Sequence, residues 1–236
     1  MTSASVPGAV ILDVDGTMYV QRPVRFRILH RLIWNTIVHP RPGLDCLLAL
    51  RAYRRAQETL RIESRPDRHD GREQLQRAAD AAGMDIATLR QYVERWMERE
   101  PLGIIGRYVR PGLREFLLTA RQQGAKVGVF SDYSAKGKLL ALGVRELIDV
   151  VWSAQDDECG RFKPDPSGLR RVAKELGIDV AKSVYIGDRP DVDGVAAERA
   201  GMRAFILSSR PAPRTASWEV VSDFFVLTNT LFPTRF

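Results

Sequence analysis

The sequence predicts an α/β protein, a doubly wound and mostly parallel sheet with an inserted all-helical domain after its first strand. Three observations carry this. From about residue 110 onward, short apolar runs alternate with helical segments, the pattern of parallel strands covered by helices on both faces. Residues 8–12 (GAVIL) form an isolated apolar run near the start, as expected of a strand buried on both faces. Residues 22–100 between them show helical patterning and no strand pattern. The first strand therefore joins the later sheet. The domains divide as a core, 1–19 and 111–236, around an insert, 20–110.

Within the insert, helices are expected over 24–38, 43–61, 71–82 and 86–99. Pro40, Pro42 and Gly43 punctuate the first pair, and the polar stretch 64–71 breaks the second. After Pro111-Gly112 a helix runs to Gln123, then strand 126–131, helix 134–142 and strand 149–153 follow. Helix 166–176, strand 183–187, helix 191–200 and strand 203–207 complete the alternation. The apolar stretch Asp223-Phe-Phe-Val-Leu227 reads as one more edge element. On a helical wheel, residues 24–38 place Ile28, Leu29, Leu32, Ile33, Thr36 and Ile37 on one face and Arg27, Arg31 and Trp34 on the other. The expectation is a helix packed by its apolar face, with arginines in water.

Composition narrows the function classes. Apolar residues are 44% and charged residues 28% of 236, which excludes a disordered or collagen-like chain and supports a core without disulfides. Cys46 and Cys159 stand far apart in no metal-ligand spacing, against a zinc module or disulfide scaffold and for a reducing, cytoplasmic setting. No apolar run reaches the length of a membrane span, and residues 1–9 carry no basic residue, so no signal peptide is expected. The net charge is +7, which admits nucleic acid, an anionic membrane surface or a phosphorylated small molecule as partner.

Position decides more than the total. The insert, 20–110, holds 18 Arg against 11 Asp+Glu, whereas the rest of the chain is balanced at 18 and 18. Residues 16–44 contain five arginines and no acid. No nucleic-acid motif is present, so nucleic acid is the least favoured partner. The plain reading of this stretch is a solvated face; attraction of a phosphorylated substrate is the sharper alternative, followed by a membrane-surface contact through residues 22–41. The chain has only six lysines against 30 arginines, most simply a habit of base composition.

The chemistry-bearing residues sit at predicted strand ends, where open α/β sheets bind ligands. The first strand ends in Asp13-Val-Asp15-Gly16-Thr17, and two acids on a buried strand need a cation or a proton between them. The second ends in Ser131-Asp132, where a helix N-cap is the plain alternative. Lys163-Pro164-Asp165-Pro166 holds a lysine on a stiff loop before a helix. The fourth strand ends in Gly187-Asp188, with Asp191 and Asp193 close behind; capping explains one acid there, not three.

This ordered set resembles the haloacid dehalogenase-like (HAD) superfamily, through Asp13-Val-Asp-Gly-Thr17, the strand ending in Ser131, Lys163-Pro-Asp-Pro166 and Gly187-Asp-Arg-Pro-Asp-Val-Asp193. The insert looks like the helical cap of its phosphoglycolate-phosphatase-like branch, over a Rossmann-like core. The resemblance implies a phosphatase acting on a small phosphate monoester. Asp13 would be the nucleophile forming an aspartyl-phosphate, and Asp15 the general acid and then base. Mg²⁺ would sit on Asp13, the backbone carbonyl of Asp15 and Asp188, with Asp193 behind. Ser131, Asp132 and Lys163 would bind the substrate phosphate, and Asp191 would be a structural helix acid. An acid at position 15 separates the chain from dehalogenases. The first lysine, Lys126, lies outside the insert, so a Schiff base on a cap lysine is excluded. A phosphomutase and a catalytically idle binding protein remain as alternatives, as does a lipid-linked substrate. Tyr53, Arg54, Arg55, Tyr92 and Trp96 are candidate pocket-lining residues from the cap.

Overall fold

The computed structural model describes residues 6–63, 69–209, 211 and 216–233. Part of the polar break 64–71 and residues 1–5 of the N-terminal stretch therefore lie outside the described residues.

The apolar run near the start forms β1 (Ala9–Leu12), every residue of which is buried. Its neighbours are β2 (Lys126–Ser131) on one side and β4 (Ser183–Gly187) on the other. With β3 (Val150–Ser153), β5 (Arg203–Leu207) and β6 (Trp218–Val221), they make a six-stranded sheet in the order β3-β2-β1-β4-β5-β6. All five pairings are parallel. Leu12 is in register with both Val129 and Ile186, so β1, β2 and β4 end at one level. The chain winds outward in opposite directions from β1. That reversal opens a crevice at the carboxyl ends of the strands.

Core helices cover the sheet: α6 (Leu113–Gln122), α7 (Lys136–Ala141), α8 (Ser167–Leu176), α9 (Val195–Ala200) and α10 (Phe224–Leu231). The edge element at the end of the chain differs from expectation. The edge strand is Trp218–Val221, and the stretch from Asp223 is instead a helix whose Asp223 side chain accepts from the Val226 amide. An acid that caps a helix start outweighs the strand preference of two phenylalanines.

Between β1 and β2 lie α1 (Gln21–Val38), α2 (Pro40–Ile62), α3 (Asp70–Ala82), α4 (Ile86–Val93) and α5 (Glu100–Ile105). The expected helix 86–99 is not continuous, since residues 94–99 form a wider π turn before α5. Pro101 has no N–H to give an α-helical partner, and the hydrogen-bond pattern changes beside it. Helix α1 also departs from its wheel. Only Val24, Ile28 and Leu32 are buried, while Leu29, Ile33 and Ile37 are exposed. The helix packs chiefly on α2 and α5, and this contact covers a narrow stripe.

The chain enters and leaves the insert side by side. Val20 donates to the Tyr108 carbonyl (2.8 Å) and Arg110 to that of Met18 (2.9 Å). The insert is tied to the core by polar contacts: Arg61 pairs with Asp132, and Arg72 with Asp157 at 2.7 Å. Tyr133 donates to Gln57, and the Phe162 amide donates to Asp70 at 2.9 Å. Among the described residues, no helix is long and apolar enough to cross a membrane.

Candidate active site

Lys163 holds the site together. The loop before α8 brings its side chain beneath the strand ends, where it is buried. Its ammonium donates to Asp13 Oδ1 (2.6 Å), Asp193 Oδ1 (2.7 Å) and Tyr185 Oη (3.1 Å). An ammonium has three donors, and all three are used. The Lys163 amide donates to Asp132 Oδ1 at 3.0 Å, and the following Lys163–Pro164 peptide is cis.

Each acid has a distinct setting. Asp13 Oδ2 accepts from the Thr17 hydroxyl at 3.1 Å. Asp193 Oδ2 accepts the amides of Asp188 (3.1 Å) and Arg189 (3.0 Å), and its Oδ1 also accepts from Tyr185. Asp193 therefore clamps the turn after β4 and has little capacity left. The carboxylate of Asp188 makes no hydrogen bond to a described residue and rests against Gly16. A Cβ on Gly16 would stand 2.2 Å from Asp188 Oδ2, and its φ of +96° also requires glycine. Asp13, Asp188 and Asp193 each bring an oxygen within 4.8 Å of the others.

Burial is the largest force on Asp13. Asp193, Asp188 and Asp15 add to it, Lys163 offsets only part, and the pKa is pushed up to about 8. Burial and Asp193 raise Asp188 to about 6. Asp193 moves the opposite way: Lys163 and two amides overcome burial and hold it below the usual range. Burial works against Lys163, but Asp13 and Asp193 hold its pKa well above normal. Four carboxylates thus face two ammoniums, Lys163 and Lys138. A hard divalent cation between Asp13 and Asp188 fits this excess of negative charge and the unspent oxygens of Asp188.

Asp15 lies apart from that cluster. Its carboxylate accepts from Lys138 on α7 and from the Tyr19 hydroxyl. Burial would raise its pKa, but these two partners overcome it and hold the group ionised. With its side chain so engaged, only its backbone carbonyl is free to hold a metal. Ser131 is buried at the end of β2 and accepts from the Tyr133 amide at 3.3 Å, which leaves its hydroxyl proton to donate. Asp132 differs from expectation as a phosphate-binding side chain. Its oxygens are taken by Arg61 and the Lys163 amide, and a carboxylate repels a phosphate. Asp191 is exposed and pairs with Arg189 at 2.7 Å.

A cavity of about 540 Å³ opens over these groups. Asp13, Asp15, Ser131, Asp132, Lys163, Asp188 and Asp193 all line it. Its cap wall is apolar through Val24, Ile28, Leu32, Trp96 and Met97, with Arg25, Arg54, Gln57 and Arg61 among them. Of the cap candidates, Arg54 and Trp96 reach the cavity; Tyr53, Arg55 and Tyr92 do not line it.

Sequence reasoning missed Tyr19, Gln57, Arg61, Lys138 and Tyr185. One signal was available for Lys138. In a chain that uses arginine five times as often as lysine, two of the six lysines are the buried ammoniums of the site. A compact ammonium on a flexible stem fits where a planar fork does not. Tyr185 places a hydroxyl in the middle of a buried strand whose only other polar side chain, Ser183, stands at its start, a weaker signal.

The sequence matches the haloacid dehalogenase-like hydrolase family over residues 7–201. A phosphatase of Mycobacterium tuberculosis is 36% identical over 102 residues, 41% of this chain and 45% of that protein. The first curated relatives are matched over less than half of their own length. A phosphoglycolate phosphatase of Rhodospirillum rubrum is 28% identical over 97% of this chain and 92% of its own. Among solved structures, a 2-haloacid dehalogenase of Pseudomonas syringae superposes with a TM-score of 0.65 at 20% identity, covering 95% of this chain and 98% of that one. That likeness speaks to the fold.

Tyr185→Phe removes one hydroxyl that both accepts from Lys163 and donates to Asp193. Hydrogen bonds to charged groups contribute about 2 kcal/mol, and urea unfolding of the variant is expected to show a loss of that order at unchanged m-value.

Proposed function

The chain belongs to the haloacid dehalogenase-like hydrolases, and on that premise we propose that it is a magnesium-dependent phosphatase cleaving a phosphate monoester through an aspartyl-phosphate on Asp13. The observation that carries this reading is the buried Asp13–Lys163 pair beside an unbalanced group of acids. It joins a desolvated nucleophile, a fixed cation and a place for a metal at one end of the cavity. We take 1–19 and 111–236 as the catalytic core and 20–110 as the cap, hinged on the paired segments at residues 18–20 and 108–110.

In this reading a free lone pair of Asp13 attacks phosphorus. The bond from phosphorus to the leaving oxygen breaks, and that oxygen takes a proton from Asp15. Water then gives a proton to Asp15 and attacks phosphorus. The aspartyl–phosphate bond breaks, releasing inorganic phosphate and restoring Asp13. Ser131 holds a non-reacting oxygen, and Lys163, which reaches another by releasing its Tyr185 contact, offsets the repulsion between carboxylate and phosphate. Asp13, the Asp15 carbonyl and Asp188 would hold magnesium, and with it positive charge to stabilise the transferring phosphoryl group. Asp193 keeps Lys163 and the Asp188 turn in place. The Lys138 and Tyr19 contacts suit Asp15 to the second step, when it takes a proton from water; delivery of a proton in the first step requires that pair to loosen as substrate enters.

The cap wall bears on the substrate. Gln57 and Arg61 line the cavity, and Gln57 Nε2 and Arg61 Nε are buried with no hydrogen-bond partner among the described residues. A buried unsatisfied donor costs about 1–3 kcal/mol, so the leaving group that fits carries an acceptor, a hydroxyl or a carboxylate, to meet them. A phosphomutase would use the same core groups, and release of inorganic phosphate separates it from the hydrolase.

With an aryl phosphate and Mg²⁺, inorganic phosphate is expected to appear, and to be lost on adding a chelator or on Asp13→Asn. Activity that survives Asp13→Asn undiminished contradicts the mechanism. In a screen of phosphorylated metabolites, polyprenyl-linked sugar phosphates included, Gln57→Leu is expected to raise KM about tenfold for substrates whose leaving group bears an acceptor. It should leave KM for phenyl phosphate unchanged.

A further inference from the structure

Helix α1 has two apolar stripes where a packed surface helix has one. Val24, Ile28 and Leu32 face the protein. On the opposite side Phe26 (71% exposed), Leu29 (49%), Ile33 (49%) and Ile37 (65%) recur at the three-to-four-residue spacing of a single helix face, and Trp34 (65%) stands beside them. On a soluble monomer so many large apolar side chains, gathered in one stripe, mark a surface that meets something.

The charges around the stripe identify the partner. At 3.6 residues per turn, Arg22 stands in line with the stripe at its N-terminal end, Arg25 flanks it on one side, and Arg27 and Arg31 lie on the other. Arg27 donates to the Tyr108 hydroxyl and Arg31 pairs with Glu100. Arg22 and Arg25 pair with no described residue, nor does Arg41 at the start of α2. Residues 16–44 hold no acid. A second copy docked through the same face would set arginines against arginines, and Glu100 is already paired with Arg31. An anionic bilayer surface offers the complement: acyl chains for the stripe, phosphates for its basic flanks, and an interfacial position for Trp34.

We propose that α1 docks the protein, by its Phe26–Ile33–Ile37 face, on an anionic membrane surface. The helix lies in the plane of the interface. Leu29 of this stripe also lines the cavity, so docking sets one edge of the site beside the lipid surface. The proposal does not rest on the reaction, and an inactive Asp13→Asn protein binds equally well.

The test is co-sedimentation of the full chain with vesicles of phosphatidylcholine alone or mixed with phosphatidylglycerol. Retention is expected only with the anionic vesicles at low salt, and it falls as salt screens the arginines. Arg22→Gln weakens it about fivefold. Ile33→Ser combined with Ile37→Ser abolishes it; both side chains are exposed, and far-ultraviolet circular dichroism checks that the fold is kept. A blue shift of tryptophan emission on adding anionic vesicles, absent in Trp34→Phe, places the contact on this face. No retention on anionic vesicles at low salt overturns the proposal. So does retention unaffected by Ile33→Ser/Ile37→Ser, or a vesicle-free dimer that these substitutions dissociate.

Discussion

The buried Lys163 ammonium is the interaction on which the rest of the site depends. It joins Asp13 after β1 to Asp193 after β4, and Tyr185 within β4 donates into the same group. Its amide fixes Asp132 after β2. One residue thus ties together the ends of three central strands. The arrangement is stable only as a whole, because a buried charge that loses its partner costs several kcal/mol. It also explains the opposed behaviour of the acids. Asp193 is saturated with donors and stays ionised, whereas Asp13 and Asp188 carry the surplus negative charge. The same surplus is what a divalent cation answers. Stability and the proposed chemistry therefore draw on one charge balance.

The cap meets the core through polar links at the cavity and through shared apolar packing behind them, where Leu60 of α2 joins one cluster with Ile11 and Phe130. Arg61 reaches Asp132, and Arg189 reaches Glu58 at 3.2 Å. Because Asp132 also receives the Lys163 amide, the cap contact is one step from the central ammonium. The exposed Arg189–Glu58 pair separates at modest cost, whereas Arg61 and Asp132 are both buried, so a lid joined to the core by the paired segments at residues 18–20 and 108–110 opens only by parting a costlier pair. The basic character of the chain belongs to this lid. Part of it lies on the cavity wall as Arg25, Arg54 and Arg61, and part on the outer face of α1.

Much of this was legible in the sequence, for physical reasons. Parallel strands buried on both faces read as unbroken apolar runs, so β1, β2, β4 and β5 are visible as such, and acids at their ends stand out because burial makes them costly. Other features depend on tertiary context. Lys138 reaches Asp15 across 123 positions of chain, and no local pattern announces that meeting. Gln57 and Arg61 acquire meaning only when α2 lies over the cavity. The wheel of α1 shows that it is amphipathic but not that its neighbours cover only a narrow stripe. The end of the chain misled because an aromatic run suits a strand until Asp223 caps it as a helix. Asp132 misled because position at a strand end says nothing of which way a carboxylate is spent.

The central claim is that Asp13, positioned by Lys163, carries the phosphoryl group in turnover. Acid quench of the protein during turnover of a ³²P-labelled monoester, followed by proteolysis, tests it most directly. The account predicts an acid-stable, hydroxylamine-labile label on the peptide containing Asp13, and none in Asp13→Asn. Brisk release of phosphate with no labelled peptide under conditions where a slow-turnover variant is saturated, or a label on any other residue, would contradict it.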